Sequence, residues 1–82
     1  MKVGKVTHYY GKIGVAIIEV SSPLKVGEHI QIKRDDEVIV DQEVESMQIE
    51  KEQIQEAKKG DVIGLKVDSP VREGMEVFKE TD

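Results

Sequence analysis

The chain has 82 residues, of which 35% are charged and 38% hydrophobic, with a net charge of −5 and no cysteine. This length predicts a single domain over residues 1–82, and the lack of cysteine excludes disulfides, zinc–thiolate sites and thiol nucleophiles. An acidic chain lacks the basic footprint that free-standing nucleic-acid binders usually show. No apolar run is long enough for a signal peptide or a membrane span, so we expect a cytoplasmic protein without membrane contact.

The first part of the chain predicts three strands. Residues 2–10 contain Val, Thr and Tyr, which have high β-propensity, and Gly4 within them is expected to mark a bulge or a close backbone approach. Residues 13–20, IGVAIIEV, are apolar on both phases, which predicts a strand with little solvent on either face. Pro23 breaks that strand because it has no N–H to donate. The alternation of residues 28–34 predicts the next strand.

The middle of the chain predicts a hairpin followed by a change of phase. A polar turn at residues 34–37 forms the hairpin. After it, Val38 and Val44 share one phase, whereas Met47 falls on the other. A slip of one residue in a period of two is what a β-bulge produces, so we expect a bulge near residues 45–46.

Residues 50–59, EKEQIQEAKK, form the one helix-like segment, because Ile54 and Ala57 lie three apart among good helix formers. An amphipathic helix over residues 41–59 is the alternative interpretation. We favour a strand followed by a loop with at most one turn of helix, because the apolar stripe is too sparse for so long a helix.

A glycine corner followed closely by a strand occurs three times in the chain. Two of these corners precede the last predicted strands, over residues 62–67 and 75–79. Glycine suits such corners because it adopts a positive φ without a Cβ clash. We interpret the corners as a recurring device and not as a sequence repeat. The three corners are Val26-Gly27-Glu28, Lys59-Gly60-Asp61 and Glu73-Gly74-Met75.

The predicted fold class is all-β. Six or seven short strands, with turn signals at near-regular spacing and no alternating helices, are typical of this class. At this size, a small closed, mostly antiparallel barrel is the expected way to cover the sheet edges. Ile39 and Val71 are expected to lie outside the core, which is too little exposed apolar surface for a partner groove.

No arrangement of residues predicts catalysis, a metal site or a cofactor. Carboxylates cluster in polar turns and on outward phases, where no apolar pocket would separate the pKa values of a catalytic pair. His29 alternates outward, and the two histidines have no organised carboxylate between them, so we expect no metal. The chain contains neither a G-x-S-x-G elbow nor a phosphate loop with G-x-x-x-x-G-K-[ST] spacing. We therefore predict that the chain is not an enzyme.

The only concentration of aromatic residues is His8, Tyr9 and Tyr10, with Lys5 and Lys12 close by in the sequence. Such a cluster can stack unpaired nucleic-acid bases. The alternative, which the acidic composition favours, is a strand end with exposed aromatic side chains.

The patterns L-x-x-G-[DE]-x-[IV], V-x-S-[MV] and A-x-x-G-[DE]-x-[IV]-G follow one another along the chain. Together with further segments they cover residues 3–6, 11, 14–16, 24–30, 44–48, 57–65 and 72–75. In this order, over nearly the whole chain, they resemble domain II of the translational GTPases, the β-barrel of elongation factor Tu and its relatives. The chain also resembles the C-terminal appendage of some collagenase-like peptidases, which looks like a similar barrel.

The resemblance implies a translation-factor-like module without a GTPase domain, and hence without nucleotide hydrolysis. Positions that help the family hold the aminoacyl end of tRNA fall on Gln48, Lys58 and Val62, and only Lys58 keeps the family's residue character. The predicted function is non-catalytic docking on RNA, on the ribosome or on a translation-related protein. The alternative is a protein–protein interaction module that acts in trans with an enzyme and has no RNA contact. The predicted contact residues are Lys5, His8, Tyr10, Lys12, Gln48, Lys58 and Lys59.

Overall fold

The computed structural model describes residues 1–80, which form ten strands and no helix. A helix that could cross a bilayer is accordingly absent from the described part of the chain. The strands are β1 (Lys2–Tyr10), β2 (Val15–Val20), β3 (Leu24–Lys25), β4 (His29–Arg34), β5 (Glu37–Glu43), β6 (Met47–Ile49), β7 (Glu52–Ile54), β8 (Glu56–Ala57), β9 (Val62–Lys66) and β10 (Glu76–Lys79).

Eight strands form one antiparallel sheet in the order β5-β4-β10-β1-β2-β9-β6-β7, and β3 pairs with β8 in a second sheet. The predicted all-β, antiparallel class is therefore confirmed. The predicted closed barrel is wrong, because β5 and β7 end the large sheet and no ladder among residues 1–80 joins them. Strand and corner signals do not specify which edges pair. The predicted count of six or seven strands is also too low, because β3, β7 and β8 are too short to show an alternation.

Two features of strand register were predicted, and one of them is confirmed. The pairing of β1 with β10 shifts register on reaching Gly4, where a Cβ would lie 2.8 Å from the carbonyl oxygen of Glu19. The bulge predicted near residues 45–46 is wrong. The strand β5 ends at Glu43, and β6, which begins at Met47, pairs with β7 and β9 and not with β4. The phase of the pattern changes because the chain changes its partner strand.

The helical alternative for residues 41–59 is wrong. Residues 50–59 hold a turn, the strands β7 and β8 and the start of the second corner. Ile54 pairs with Met47 in the large sheet, whereas Ala57 pairs with Leu24 in the small one. The two apolar residues thus serve two different sheets, and their spacing does not mark one face of a helix. The favoured interpretation was right to exclude a long helix, but it missed β7 and β8.

The core consists of aliphatic side chains and methionine. On β4 the residues Ile30 and Ile32 are buried and alternate with more exposed neighbours, as predicted. Val71, which was predicted to lie outside the core, is only 3% exposed and belongs to it. Ile39 is half-buried and packs against the core.

The three glycine corners share one scheme of backbone hydrogen bonds. Each glycine has a φ between 93° and 97° and is the third residue of a turn in which the fourth N–H donates to the first carbonyl. The glycine N–H donates to a buried valine, and the N–H of that valine donates to the residue after the glycine. Each turn is thereby tied to one core residue by two bonds. The pairs are Gly27 with Val44, Gly60 with Val20, and Gly74 with Val6.

The residue after each glycine closes the corner with its side chain. A carboxylate oxygen of Asp61 accepts from the N–H of Lys58 at 2.8 Å, and a carboxylate oxygen of Glu28 accepts from the N–H of Lys25 at 2.6 Å. In the third corner the sulfur of Met75 takes this place. The G-[DE] pattern is therefore explained by turn closure alone.

Candidate functional site

The predicted contact residues do not form one basic face. Lys5 lies opposite Glu19 on β2 and opposite Glu76 on β10, so carboxylates flank it on both sides. Lys58 and Lys59 lie in the second corner, on a different element. Binding to a phosphate backbone calls for clustered positive charge, which this interleaving of signs does not provide.

The aromatic cluster divides between the core and the surface. Tyr9 packs against the core, whereas the rings of His8 and Tyr10 meet edge to face with centroids 4.5 Å apart. Tyr10 is 50% exposed. Of the seven predicted residues, Tyr10 and Gln48 line one common groove.

This groove lies on the outer face of β2, β9 and β6 and has a volume of about 310 Å³. Its floor is the backbone of Gly64, which lies opposite Ile17 on β2 and opposite Gln48 on β6. A Cβ on Gly64 would come within 3.3 Å of a methyl group of Val15, so the missing side chain creates the depression. We call it the Gly64 groove. It is lined by Tyr10, Ile13, Val15, Ile17, Gln48, Glu50, Lys51, Val62, Ile63 and Gly64.

The walls of the Gly64 groove are mostly apolar. Ile13 is 61% exposed and Val62 is 53% exposed, and together with Tyr10 they project from the rim. Val15 and Ile17 are half-buried on the outward phase of β2. A cluster of exposed apolar side chains around a concave surface is typical of a binding site.

The turn between β6 and β7 forms one side of the groove and has an unusual backbone. Glu50 and Lys51 have φ of 50° and 69°, and Ile49 pairs with Glu52 across them. A two-residue hairpin turn with both central φ positive normally contains Asn, Asp or Gly. For residues with a full side chain this conformation costs about 1–2 kcal/mol each. Such strain collects at ligand-binding and switch regions.

Three lysines lie in or beside the groove. Lys51 lines it, Lys12 adjoins Ile13, and Lys66 lies opposite Val15 on the outward phase of β9. Among residues 1–80, the ion pairs involve none of these three lysines. Their charges are therefore available to a partner.

The two carboxylates near the same rim complete its charge distribution. Glu50 lines the groove beside Lys51, and Glu19 lies opposite Val62 where β2 pairs with β9. In and beside the groove there are thus three lysines and two glutamates, in a chain whose net charge is −5.

A second cavity, also of about 310 Å³, lies between the hairpin turn and the third corner and is lined mostly by charged side chains, two of which form ion pairs. Glu76, at its edge, bonds to Lys2 at 2.7 Å, and Arg34 bonds to Glu37 at 3.2 Å. It offers charges of both signs without an apolar floor.

Among residues 1–80, the titratable pair with shifted pKa values is His29 with Asp41, and it is exposed. A ring N–H of His29 donates to Asp41, and the amide of Gln31 donates to the other carboxylate oxygen at 3.2 Å. The hydrogen bond to Asp41 raises the pKa of His29 above 6.5, and the same bond lowers the pKa of Asp41 below 3.8. Within the described residues, no group of three or more His, Asp or Glu side chains is placed to hold a metal ion.

Sequence reasoning missed Ile13 and Val62 as site residues. Ile13 was read as the start of the buried strand, but it lies in the turn before β2. Val62 and Ile63 are adjacent and both apolar, so the sequence did not decide which of them points outward. The one available signal in the sequence was a turn-forming glycine on each side of Ile13, at positions 11 and 14.

The fold and the groove are those of a small antiparallel β-sheet protein with an open apolar groove on its surface. Comparison with known proteins narrows this class further. No family model matches the chain. An uncharacterized protease of Methanocaldococcus jannaschii is 40% identical to it over 83 residues, which cover 99% of this chain and 20% of the protease. The chain thus spans about a fifth of the length of that curated relative.

Two solved structures have the same fold. The C-terminal domain of a Geobacillus thermoleovorans protein described as a U32 peptidase has a TM-score of 0.88 and 19% identity, covering 98% of this chain and 92% of that domain. Its selenomethionine variant has a TM-score of 0.84 and 18% identity, covering 94% and 96%.

The predicted relationship to translation elongation factors is wrong. The similar proteins are a protease and the C-terminal domain of a U32 peptidase, in line with the second resemblance noted in the sequence. The error has a physical origin. The corner patterns encode turn closure by glycine and a following carboxylate, as at Gly60 and Asp61, so they report the corner geometry and not the function.

Proposed function

We propose that this chain is a non-catalytic, protein-binding domain that works with a peptidase of the U32 type. The observation that carries the proposal is the 40% identity to a protease along 99% of the chain. At that level the fold and most of the core are expected to be shared. The similarity to the C-terminal domain of a U32 peptidase supports the same association at the level of the fold.

The surface of the domain is better suited to a protein than to a nucleic acid. The predicted docking on RNA or the ribosome is wrong: the comparisons lead to peptidases, and carboxylates interrupt the lysines of β1. The alternative prediction, a protein–protein module that acts with an enzyme, is the one the comparisons favour. The Gly64 groove supplies the exposed apolar surface that such a module needs.

The test uses the M. jannaschii protease without the fifth of its length that matches this chain. We expect the tagged chain to bind this truncated protease saturably in titration calorimetry. An excess of the protease's own matching segment should displace it, because both would occupy the same surface. The isolated chain, incubated with protein substrates, should cleave none of them.

A chimera provides the matched control. In it, this chain replaces the matching segment of the full-length protease. We expect the chimera to unfold at a temperature close to that of the parent, and the truncated protease to unfold earlier. If the chain does not bind the truncated protease and the chimera is no more stable than the truncation, the proposal fails.

A further inference from the structure

We propose that the Gly64 groove binds one large apolar side chain from an acidic, extended segment of the partner protein. The proposal rests on the proposed function, since it identifies the surface through which the domain would recognise a protein. It names the chemistry of the occupant: an aromatic or aliphatic anchor with carboxylates beside it.

The size and lining of the groove favour a single anchoring side chain. Its volume of about 310 Å³ lies at the lower end of the range for ligand pockets, which run from about 300 to 1,000 Å³. Its floor is bare backbone at Gly64, and its walls are the outward faces of Val15 and Ile17. An apolar side chain seated there would contact aliphatic groups below it and Tyr10 and Ile13 at the rim. Interfaces concentrate their binding free energy in such buried anchors.

The strained turn at Glu50 and Lys51 is an independent observation at the same place. Both residues have positive φ, although the chain uses glycine at positive φ in its three corners. Asn-Gly would form this turn without strain. The two long side chains line the groove instead, which indicates that they are kept for contacts and not for the stability of the turn.

The charge around the groove selects an acidic segment. The amines of Lys12, Lys51 and Lys66 have no ion-pair partner among residues 1–80, while the chain as a whole carries a charge of −5. A partner with carboxylates beside its anchor would meet these unpaired lysines here, on a chain that is net acidic as a whole. Complementary charge of this kind sets the orientation and the rate of association more than the affinity.

The experiment uses the full chain and a fluorescein-labelled peptide with one phenylalanine flanked on both sides by aspartate and glutamate. Two matched peptides replace the phenylalanine with alanine or the acidic residues with lysine. We expect saturable binding of the first peptide by fluorescence anisotropy, and binding at least about tenfold weaker for the other two. Amide chemical shifts of the chain should change along β2, β9 and β6 and at residues 50–51.

Variants of the chain test the site itself. Ile13→Ser combined with Val62→Ser removes apolar surface that is more than half exposed, so the fold should be kept, and binding should weaken at least about tenfold. Gly64→Ala fills the floor and should weaken binding as well. The control is Val38→Ser, which removes a 43% exposed valine of β5 outside the groove and should change binding by less than about twofold.

Three results would overturn the assignment: no saturable binding, shifts confined to other strands, or unchanged binding by the Ile13→Ser, Val62→Ser variant. The chemical shifts of the groove amides should not depend on protein concentration when no peptide is present. If they do, the groove binds a second copy of the chain, and the assignment to an acidic segment is overturned. The peptide assay contains no peptidase, so its result is separate from that of the proposed function. If the truncated protease binds this double variant as tightly as the parent chain, the groove assignment fails and the proposed function stands.

Discussion

The side chain of Gln42 on β5 is bonded to the backbone of Lys66 on β9, with the amide nitrogen donating to the carbonyl oxygen at 3.0 Å. The amide oxygen of Gln42 accepts from the N–H of Asp68 at 2.8 Å. These two strands are not neighbours in the sheet order, and Gln42 is the buried polar residue of the described chain. One side chain thus connects the edge strand β5 to a strand on the other side of the core.

The first prediction follows from this contact. Gln42→Ala should lower the free energy of unfolding by about 1–3 kcal/mol, because it removes a buried amide that bonds the N–H of Asp68 and the carbonyl of Lys66 in a partly buried position. Urea denaturation followed by circular dichroism measures the change. Gln53→Ala, at an exposed site on β7, is the control and should stay within about 0.5 kcal/mol. Equal effects of the two substitutions would mean that the contact contributes nothing.

The second prediction concerns the glycine corners. Gly60→Ala should cost about 1–2 kcal/mol, because φ is 93° and L-residues are strained there. No atom lies within 4 Å of the added Cβ, so the cost would come from the backbone and not from a clash. Gly11→Ala is the control, since its Cβ would meet only the Tyr9 ring at 3.6 Å. Thermal unfolding should separate the two variants, and a neutral Gly60→Ala would contradict the role of the corner.

The third prediction concerns the strained turn beside the groove. The double variant Glu50→Asn, Lys51→Gly should raise the free energy of unfolding by about 1–3 kcal/mol, because Asn-Gly adopts both positive φ values easily. Asp35 also has a positive φ, of 55°, but it lies in the other hairpin turn, so Asp35→Gly is the matched control away from the groove. Stability and peptide binding are measured for both variants. Asp35→Gly should leave peptide binding unchanged. No gain in stability from the double variant would argue against strain at this turn.

The fourth prediction is a pH dependence at His29 and Asp41. The raised pKa of His29 means that its contribution to stability is complete below pH 6.5 and is lost as the pH rises through the higher folded value. The lowered pKa of Asp41 means that its contribution is complete above pH 3.8 and is lost as the pH falls through the lower folded value. The pair should therefore contribute most between these two values.

Titration by NMR checks the pair directly. In Asp41→Asn the pKa of His29 should fall from its raised value, because the carboxylate partner is gone. Asp36→Asn, in the hairpin turn, is the control and should leave the His29 titration unchanged. The stability difference between Asp41→Asn and the parent should be largest between pH 3.8 and 6.5 and shrink on either side. A difference that does not depend on pH would contradict the assignment.

Two residues of the candidate site were predicted from the sequence, although as contacts to RNA and not as part of an apolar groove. Tyr10 and Gln48 were chosen as RNA contacts, and both line the Gly64 groove. Ile13 and Val62 were not chosen, because their exposure depends on which strand lies beside them and on the bare backbone of Gly64 between them. The identity of an apolar residue does not by itself tell whether its side chain is exposed or buried.

Features that depend on neighbouring residues could be derived from the sequence alone. These include the all-β class, the hairpin at residues 34–37, the bulge at Gly4 and the three glycine corners, since alternation and the sign of φ are local properties. Tertiary structure alone decided that β6 leaves the β4 side of the sheet for β9, that Gln42 and not a strand ladder joins β5 to β9, and that the outer face at Gly64 stays uncovered. Each of these depends on contacts between residues far apart in the chain, and such pairings are set by the sum of packing and hydrogen bonds over the whole domain.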